Sequence, residues 1–238
     1  MINFYSASNG VLNSAKAMES CIEEALASRA SLDCDLIVFH TTVGHQFQEL
    51  LEQARSMCPN AKVVGCSSAG VIWKRGANES LFALSVMVMT TDDKQEIAVS
   101  TNDNINGRNA YDVARSMALD LQQQQQGTQM IQLLTTGIDI AADQVIAGIE
   151  SVFGPDIPIF GGTASDNMRA ENCFQFADEQ ILENGAIIVG FADPGLRIHS
   201  GVHHGFSPVG MGYTVTKVDG NRILEIEGQP ACPSSCKS

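Results

Sequence analysis

Val63-Val64-Gly65-Cys66-Ser67-Ser68-Ala69-Gly70-Val71-Ile72 begins as an apolar run and ends in a chain of small residues. The pattern predicts a buried strand that spills into a tight turn. Small side chains let the backbone approach a neighbour closely, and glycine permits positive φ. Hydroxyls and N–H groups of such a turn can face a ligand. The plainer alternative is that the small residues only let a helix pack. A second stretch has the same form: Pro158-Ile159-Phe160-Gly161-Gly162-Thr163-Ala164-Ser165-Asp166-Asn167. Again an apolar strand runs into glycines and then into small polar residues. Two such turns in one chain predict two walls of one site.

The segments on either side extend the pattern. An opening strand over residues 2–6 is broken at Ser8-Asn9-Gly10. Val11, Ala15, Met18, Ile22, Ala25 and Leu26 then recur at helical spacing. Residues 35–40 read as a buried strand, and Phe47, Leu50, Leu51, Ala54 and Met57 mark the next helix. Short loops in a βαβαβ order favour a largely parallel sheet with helices on its faces. Residues 81–90 are of strand type, with 97–99 as their antiparallel partner in a hairpin. Ala110, Val113, Ala114, Met117 and Leu121 give another helix, which ends in the solvated run Gln122 to Gln126. A strand over 130–134 and a helix carrying Val145, Ile149 and Val152 lead into the second small-residue turn. Beyond Asn167 the predicted segments are strands, over 172–176, 185–192, 197–203 and 212–217. Residues 221–226 form a strand or one helical turn. The fold class is therefore α/β shading into α+β. It has mixed β-sheets with packed helices, βαβ units first and mainly antiparallel strands after. A two-sheet sandwich with outer helices satisfies the same pattern.

Composition narrows the partners. The 238 residues are 44% hydrophobic and 17% charged, enough to bury a normal core, and the net charge is −13. A field of that sign repels phosphate backbones and anionic lipid, so neither nucleic acid nor a membrane surface is expected. No apolar run reaches the ~18 residues of a membrane span, and the first residues lack a basic-then-apolar leader. A cytoplasmic location follows as an expectation, with seven cysteines read as reduced, mostly buried thiols. Cys232 and Cys236 are too few to hold zinc, so 232–238 reads as a disordered or non-native tail.

The candidate chemistry lies in the two turns and in the histidines. The expected ligand loops comprise Cys66, Ser67, Ser68, Gly161, Gly162, Thr163, Ser165, Asp166 and Asn167. Cys66, Ser67 and Asp166 are the residues an enzyme would use. Against this, no histidine or other base lies near Cys66 in sequence to lower its thiol pKa, and an Asp after Thr-Ala-Ser is commonly a cap or turn residue. His40 and His45 flank one strand end, and His199, His203 and His204 share another segment. Neutral imidazole ligates iron or zinc. Without C-x-x-C-H, any haem would be non-covalent.

Gly65-Cys66-Ser67-Ser68-Ala69-Gly70 and Phe160-Gly161-Gly162-Thr163-Ala164-Ser165-Asp166-Asn167 resemble motifs of the FIST sensory domain. So do Gly205-Phe206-Ser207-Pro208-Val209-Gly210 with Val215-Thr216-Lys217, and the ending from Asn221 to Ala231. The resemblance implies a sensory ligand-binding domain of bacterial signal transduction over 1–231, not an enzyme, with a possible homo-oligomer. It also implies a further C-terminal half that this chain lacks. His-Thr-Thr-Val-Gly-His at 40–45 and His-His-Gly-Phe at 203–206 resemble the haem-binding, nitric-oxide-sensing branch, which regulates histidine kinases. That branch implies haem held by one of His45, His204, His40 or His203, and a kinase or cyclase-type partner. A sensor of another small metabolite, without haem, is the alternative.

Overall fold

The computed structural model describes every residue except 74, 75, 168, 170, 202–204, 221 and 233–238. The chain divides into two compact units, Met1–Ile198 and His199–Ser238. Among the described residues no helix is long and apolar enough to cross a membrane.

The first unit opens with strand β1 (Ile2–Asn9), helix α1 (Ser14–Ala25), β2 (Leu36–Thr41), α2 (Phe47–Met57) and β3 (Lys62–Ser67). The short strands β4 (Val71–Trp73) and β5 (Gly76–Asn78) form a hairpin. β6 (Leu84–Thr91), β7 (Ile97–Asn102), α3 (Ala110–Gln124), β8 (Met130–Thr135), α4 (Ala142–Phe153) and β9 (Ile159–Thr163) follow. β10 (Gln175–Ala177), β11 (Gln180–Leu182) and β12 (Ala186–Phe191) complete the unit. Asn13 caps α1 by accepting the Lys16 N–H at 2.9 Å, which leaves Val11 exposed outside the helix.

Two mixed sheets result, ordered β1-β6-β2-β3-β10-β11 and β7-β12-β8-β9. Alternation along the strands assigns each residue to a layer. Ile37, Phe39, Val63, Val86 and Val88 face α1 and α2. Leu36, Val38, Val64 and Cys66 face Leu134, Ile187, Val189 and Phe191 of the other sheet. Ile131, Leu133, Ala186 and Ile188 face α3 and α4. The unit is thus a four-layer α/β/β/α sandwich, in agreement with the mixed sheets and packed helices read from the sequence.

Several expectations need correction. The sheets are less parallel than the βαβ order implied: β2–β3 and β8–β9 are the parallel pairs. β6 inserts between β1 and β2, antiparallel to both. The hairpin of 81–90 with 97–99 does not form. β6 carries apolar residues on both faces, which suits a central strand, and the turn at Lys94–Glu96 hands the chain to the second sheet. The strand expected over 172–176 starts only at Gln175, because the Asp166 carboxylate accepts the Glu171 and Asn172 N–H groups and holds them in a loop. In 197–203, residues 197–201 carry no strand and the rest lie outside the described residues. A turn at Asp193, which accepts the Gly195 and Leu196 N–H groups, ends the pairing there. Gln125 is not solvated: it is buried, and its amide donates to Gln95 O at 2.9 Å and Gly190 O at 3.3 Å.

The second unit holds β13 (Val215–Asp219), β14 (Arg222–Ile226) and β15 (Gln229–Pro230) in one antiparallel sheet. Residues 221–226 are therefore strand where described. The tail read at 232–238 has Cys232 exposed, and 233–238 lie outside the described residues.

Candidate functional site

Parallel pairing of β2 with β3 sets His40 beside Cys66 and Thr41 beside Ser67. Both strands end here, facing the end of β9 across the space between the sheets. A cavity of about 300 Å³ opens between them. His40, Cys66, Ser67 and Ser68 line one side, and Gln132, Leu134, Gly161, Gly162 and Thr163 the other. The two small-residue turns do form two walls of one cavity. His40 also lines a second cavity of about 200 Å³, with Ser6, Ser8, Val38, Ser85, Met87, Ile72 and Trp73. A third, of about 460 Å³, shares Ser68 with the first and reaches Gly70, Glu79 and Asn167.

Cys66 has no histidine near it in sequence, but the fold brings one to it in space. Its sulfur lies 3.3 Å from His40 Nδ1. Burial opposes ionisation of both partners. Burial pushes the Cys66 thiol up to about 12, and burial holds the His40 imidazole below its ordinary 6.5. Near neutral pH both groups are uncharged. His40 Nε2 has no hydrogen-bond partner among the described residues.

Other expected ligand residues prove to be framework. Ser67 Oγ accepts the Phe174 N–H at 3.0 Å, and Ser67 O accepts the Ser165 N–H at 3.0 Å. These bonds knit one turn to the other. Ser68 N–H donates to Thr41 O at 2.8 Å, and its hydroxyl bonds Gly70 O. Asp166 is a buried loop cap, through Glu171 N–H at 2.7 Å and Asn172 N–H at 3.0 Å. Asn167 adopts φ 57° and accepts the Val43 N–H at 3.4 Å. Gly161, at φ 152°, has no room for a side chain: a Cβ would sit 1.7 Å from Leu133 O. Gly162 and Thr163 are exposed, and Gly162 faces open space.

The histidines separate. His45 is 3% exposed, with Nδ1 3.3 Å from Ser14 Oγ and Nε2 3.0 Å from Phe82 O. Both ring nitrogens are engaged, so the ring pins the β2–α2 loop and has no free position for iron. His199 is exposed in the second unit. His203 and His204 lie outside the described residues. Among the described residues no group of three His, Cys, Asp or Glu can hold a metal ion. Sequence reading missed Ser6, Ser8 and Ser85. Ser6 and Ser8 stand two apart on an apolar strand, a spacing that places them on one face.

A family profile described as FIST N domain matches residues 35–229. An uncharacterized protein of Mycobacterium bovis is 36% identical over 76 residues, which are 32% of this chain and 19% of that protein. An uncharacterized protein of Methanocaldococcus jannaschii is 31% identical over 75 residues, 32% of this chain and 14% of that one. The match thus spans less than a fifth of the length of these curated relatives.

Proposed function

Because the chain belongs to the FIST N domain family, a family of sensory domains in signal transduction, we propose that the cleft around His40 is its ligand site. The ligand of this reading is a small polar molecule, held by His40 Nε2 and by the exposed ends of the two turns. Ligand binding is relayed by contact to a histidine kinase or cyclase-type partner. The observation that carries the reading is the convergence of β2, β3 and β9 ends on one cavity lined by the uncharged His40 imidazole.

Haem with nitric oxide as signal is the finer reading that the resemblance supplied. The described residues do not fit that group. The cavities beside His40 hold only about 300 and 200 Å³, at or below the small end of ligand pockets. A macrocycle needs a wide, flat, mostly apolar slot. His45 has both nitrogens engaged. Nucleophilic catalysis by Cys66 is disfavoured by its buried, protonated thiol.

The test is a thermal-shift screen of small polar metabolites with a haem titration in parallel. Expected is a metabolite that stabilises the wild type but not Gly162→Trp, whose indole enters the open mouth of the cleft. A stoichiometric Soret band that is lost in His40→Ala would overturn the metabolite reading in favour of haem.

A further inference from the structure

The first unit repeats one topology. Strands β1-β6-β2-β3 and β7-β12-β8-β9 run in the same order with the same pairing senses. The register coincides as well. Thr41 faces Leu84 and Ser67, and Leu84 faces Asn9. In the same way Thr135 faces Ala186 and Thr163, and Ala186 faces Asn102. The turn bonds agree: Ser68 N–H donates to Thr41 O at 2.8 Å, and Ala164 N–H to Thr135 O at 2.7 Å. Gly65 therefore corresponds to Gly161, and each would press a Cβ against the carbonyl of its strand neighbour, Phe39 or Leu133. Between β3 and β6 the chain makes the hairpin β4–β5, and between β9 and β12 it makes β10–β11. Both hairpins have three-residue strands separated by two residues.

The hairpins differ in what they cover. β10 lies along the outer edge of β3, where Phe176 faces Gly65 and is fully buried. The matching edge of β9 carries no strand: β9 ends its sheet, and Gly161, Gly162 and Thr163 are exposed. Ile72, the counterpart of Phe176, is 86% exposed. The hairpin nevertheless stands close by. Ile72 and Trp73 border one cavity beside His40, and Gly161 and Gly162 border another. Ser67 O already accepts the Ser165 N–H at 3.0 Å, and the link from Ser67 to Val71 spans up to roughly 13 Å.

We propose that β4–β5 is a strap poised to close on the edge of β9, completing a second six-stranded sheet beside the His40 cleft. Val71 then faces Gly162 as Gln175 faces Cys66, and Ile72 covers Gly161 as Phe176 covers Gly65. Thr163 N–H donates to Gly70 O, as Ser67 N–H donates to Phe174 O at 2.8 Å. Closure buries a large apolar side chain, pairs backbone groups that an open edge leaves to solvent, and shuts the mouth of the cleft at Gly162. It requires no ligand, so its failure leaves the metabolite reading intact.

The test is a disulfide trap in the full chain. Gln175 and Cys66 form a non-hydrogen-bonded pair, flanked by the Ser67 N–H bond to Phe174 O, the arrangement in which cross-strand side chains come closest. Val71→Cys with Gly162→Cys should therefore oxidise in air to an intramolecular disulfide, seen by peptide mass mapping. Asn78→Cys with Gly162→Cys is the control: Asn78 lies on the far strand of the hairpin, and these two positions should stay reduced. Amide exchange gives a second readout without new cysteines, since Thr163 N–H should exchange ~10-fold faster in Ile72→Asp than in the wild type. No trapping, or equal trapping in the two double variants, would overturn the strap, as would Thr163 exchange that Ile72→Asp leaves unchanged. A disulfide joining two chains would put the hairpin of a second copy on β9 and overturn it too. The exchange measurement decides the matter if a double variant fails to fold.

Discussion

Replacing Gly65 by alanine should cost more than any other single methyl group in the first sheet. Gly65 lies between Phe39 on β2 and Phe176 on β10, and both are its register partners. Their rings lean over it and stack at 4.8 Å with 7° between planes. A Cβ on Gly65 would sit 2.2 Å from Phe39 O and 3.2 Å from Phe39 Cδ1. The first distance is roughly 1 Å inside the contact that non-bonded atoms tolerate. Phe39 O belongs to a central ladder, so the strands must part or the rings must separate. Overpacking of a tight core costs ~1–3 kcal/mol, and loss of the aromatic pair adds ~1 kcal/mol. Relief of glycine's extra backbone entropy returns ~0.5–1 kcal/mol. The net loss is ~2 kcal/mol, or ~4–8 °C in melting temperature for a unit of this size. Urea denaturation followed by circular dichroism measures it. Gly162→Ala is the control: nothing lies within 4 Å of its Cβ, so its change should stay within ~0.5 kcal/mol. If Gly65→Ala also falls within that margin, the stacking argument for this glycine is wrong.

Other outcomes follow from the same structure. His45→Ala leaves the buried Ser14 hydroxyl and Phe82 carbonyl without their imidazole and should destabilise by ~2–3 kcal/mol in urea titration; an unchanged midpoint would remove its structural role. His40 and His45 are both held below their ordinary 6.5 by burial, so the unfolded chain binds protons first. Stability should be greatest above pH 6.5 and fall as pH drops from 6.5 through the folded values; urea midpoints that stay flat or rise over that window would contradict this. Asp193 is held below its ordinary 3.8 by the Ile2 and Gly195 N–H groups. Its contribution is present above pH 3.8 and is lost as pH falls through the folded value, and Asp193→Asn should remove that acid-side loss from the midpoint profile.

The sequence carried the layers better than their wiring. Helical spacing and strand runs located the four helices, because each buries one stripe against a sheet. Strand order was not legible: whether residues 84–91 pair locally or insert between β1 and β2 depends on long-range packing that local pattern does not encode. The two small-residue turns could be read as partners because both end apolar strands in Gly and hydroxyl residues. What each residue does there could not. Ser67 and Asp166 look like reactive groups in sequence, and backbone N–H groups occupy both. The His40–Cys66 contact needed the parallel register, and β2 and β3 are separated by the whole of α2.

The central claim is that the ends of β2, β3 and β9 make one ligand cleft with His40 at its floor. Imidazole nitrogen NMR tests it most directly, with wild type and Gly162→Trp titrated by the metabolite found in the thermal screen. The account predicts that His40 Nε2 shifts on binding in the wild type, that His45 does not move, and that neither moves in Gly162→Trp. Binding that leaves His40 unshifted, or that is equally tight in Gly162→Trp, would place the ligand elsewhere and contradict the account.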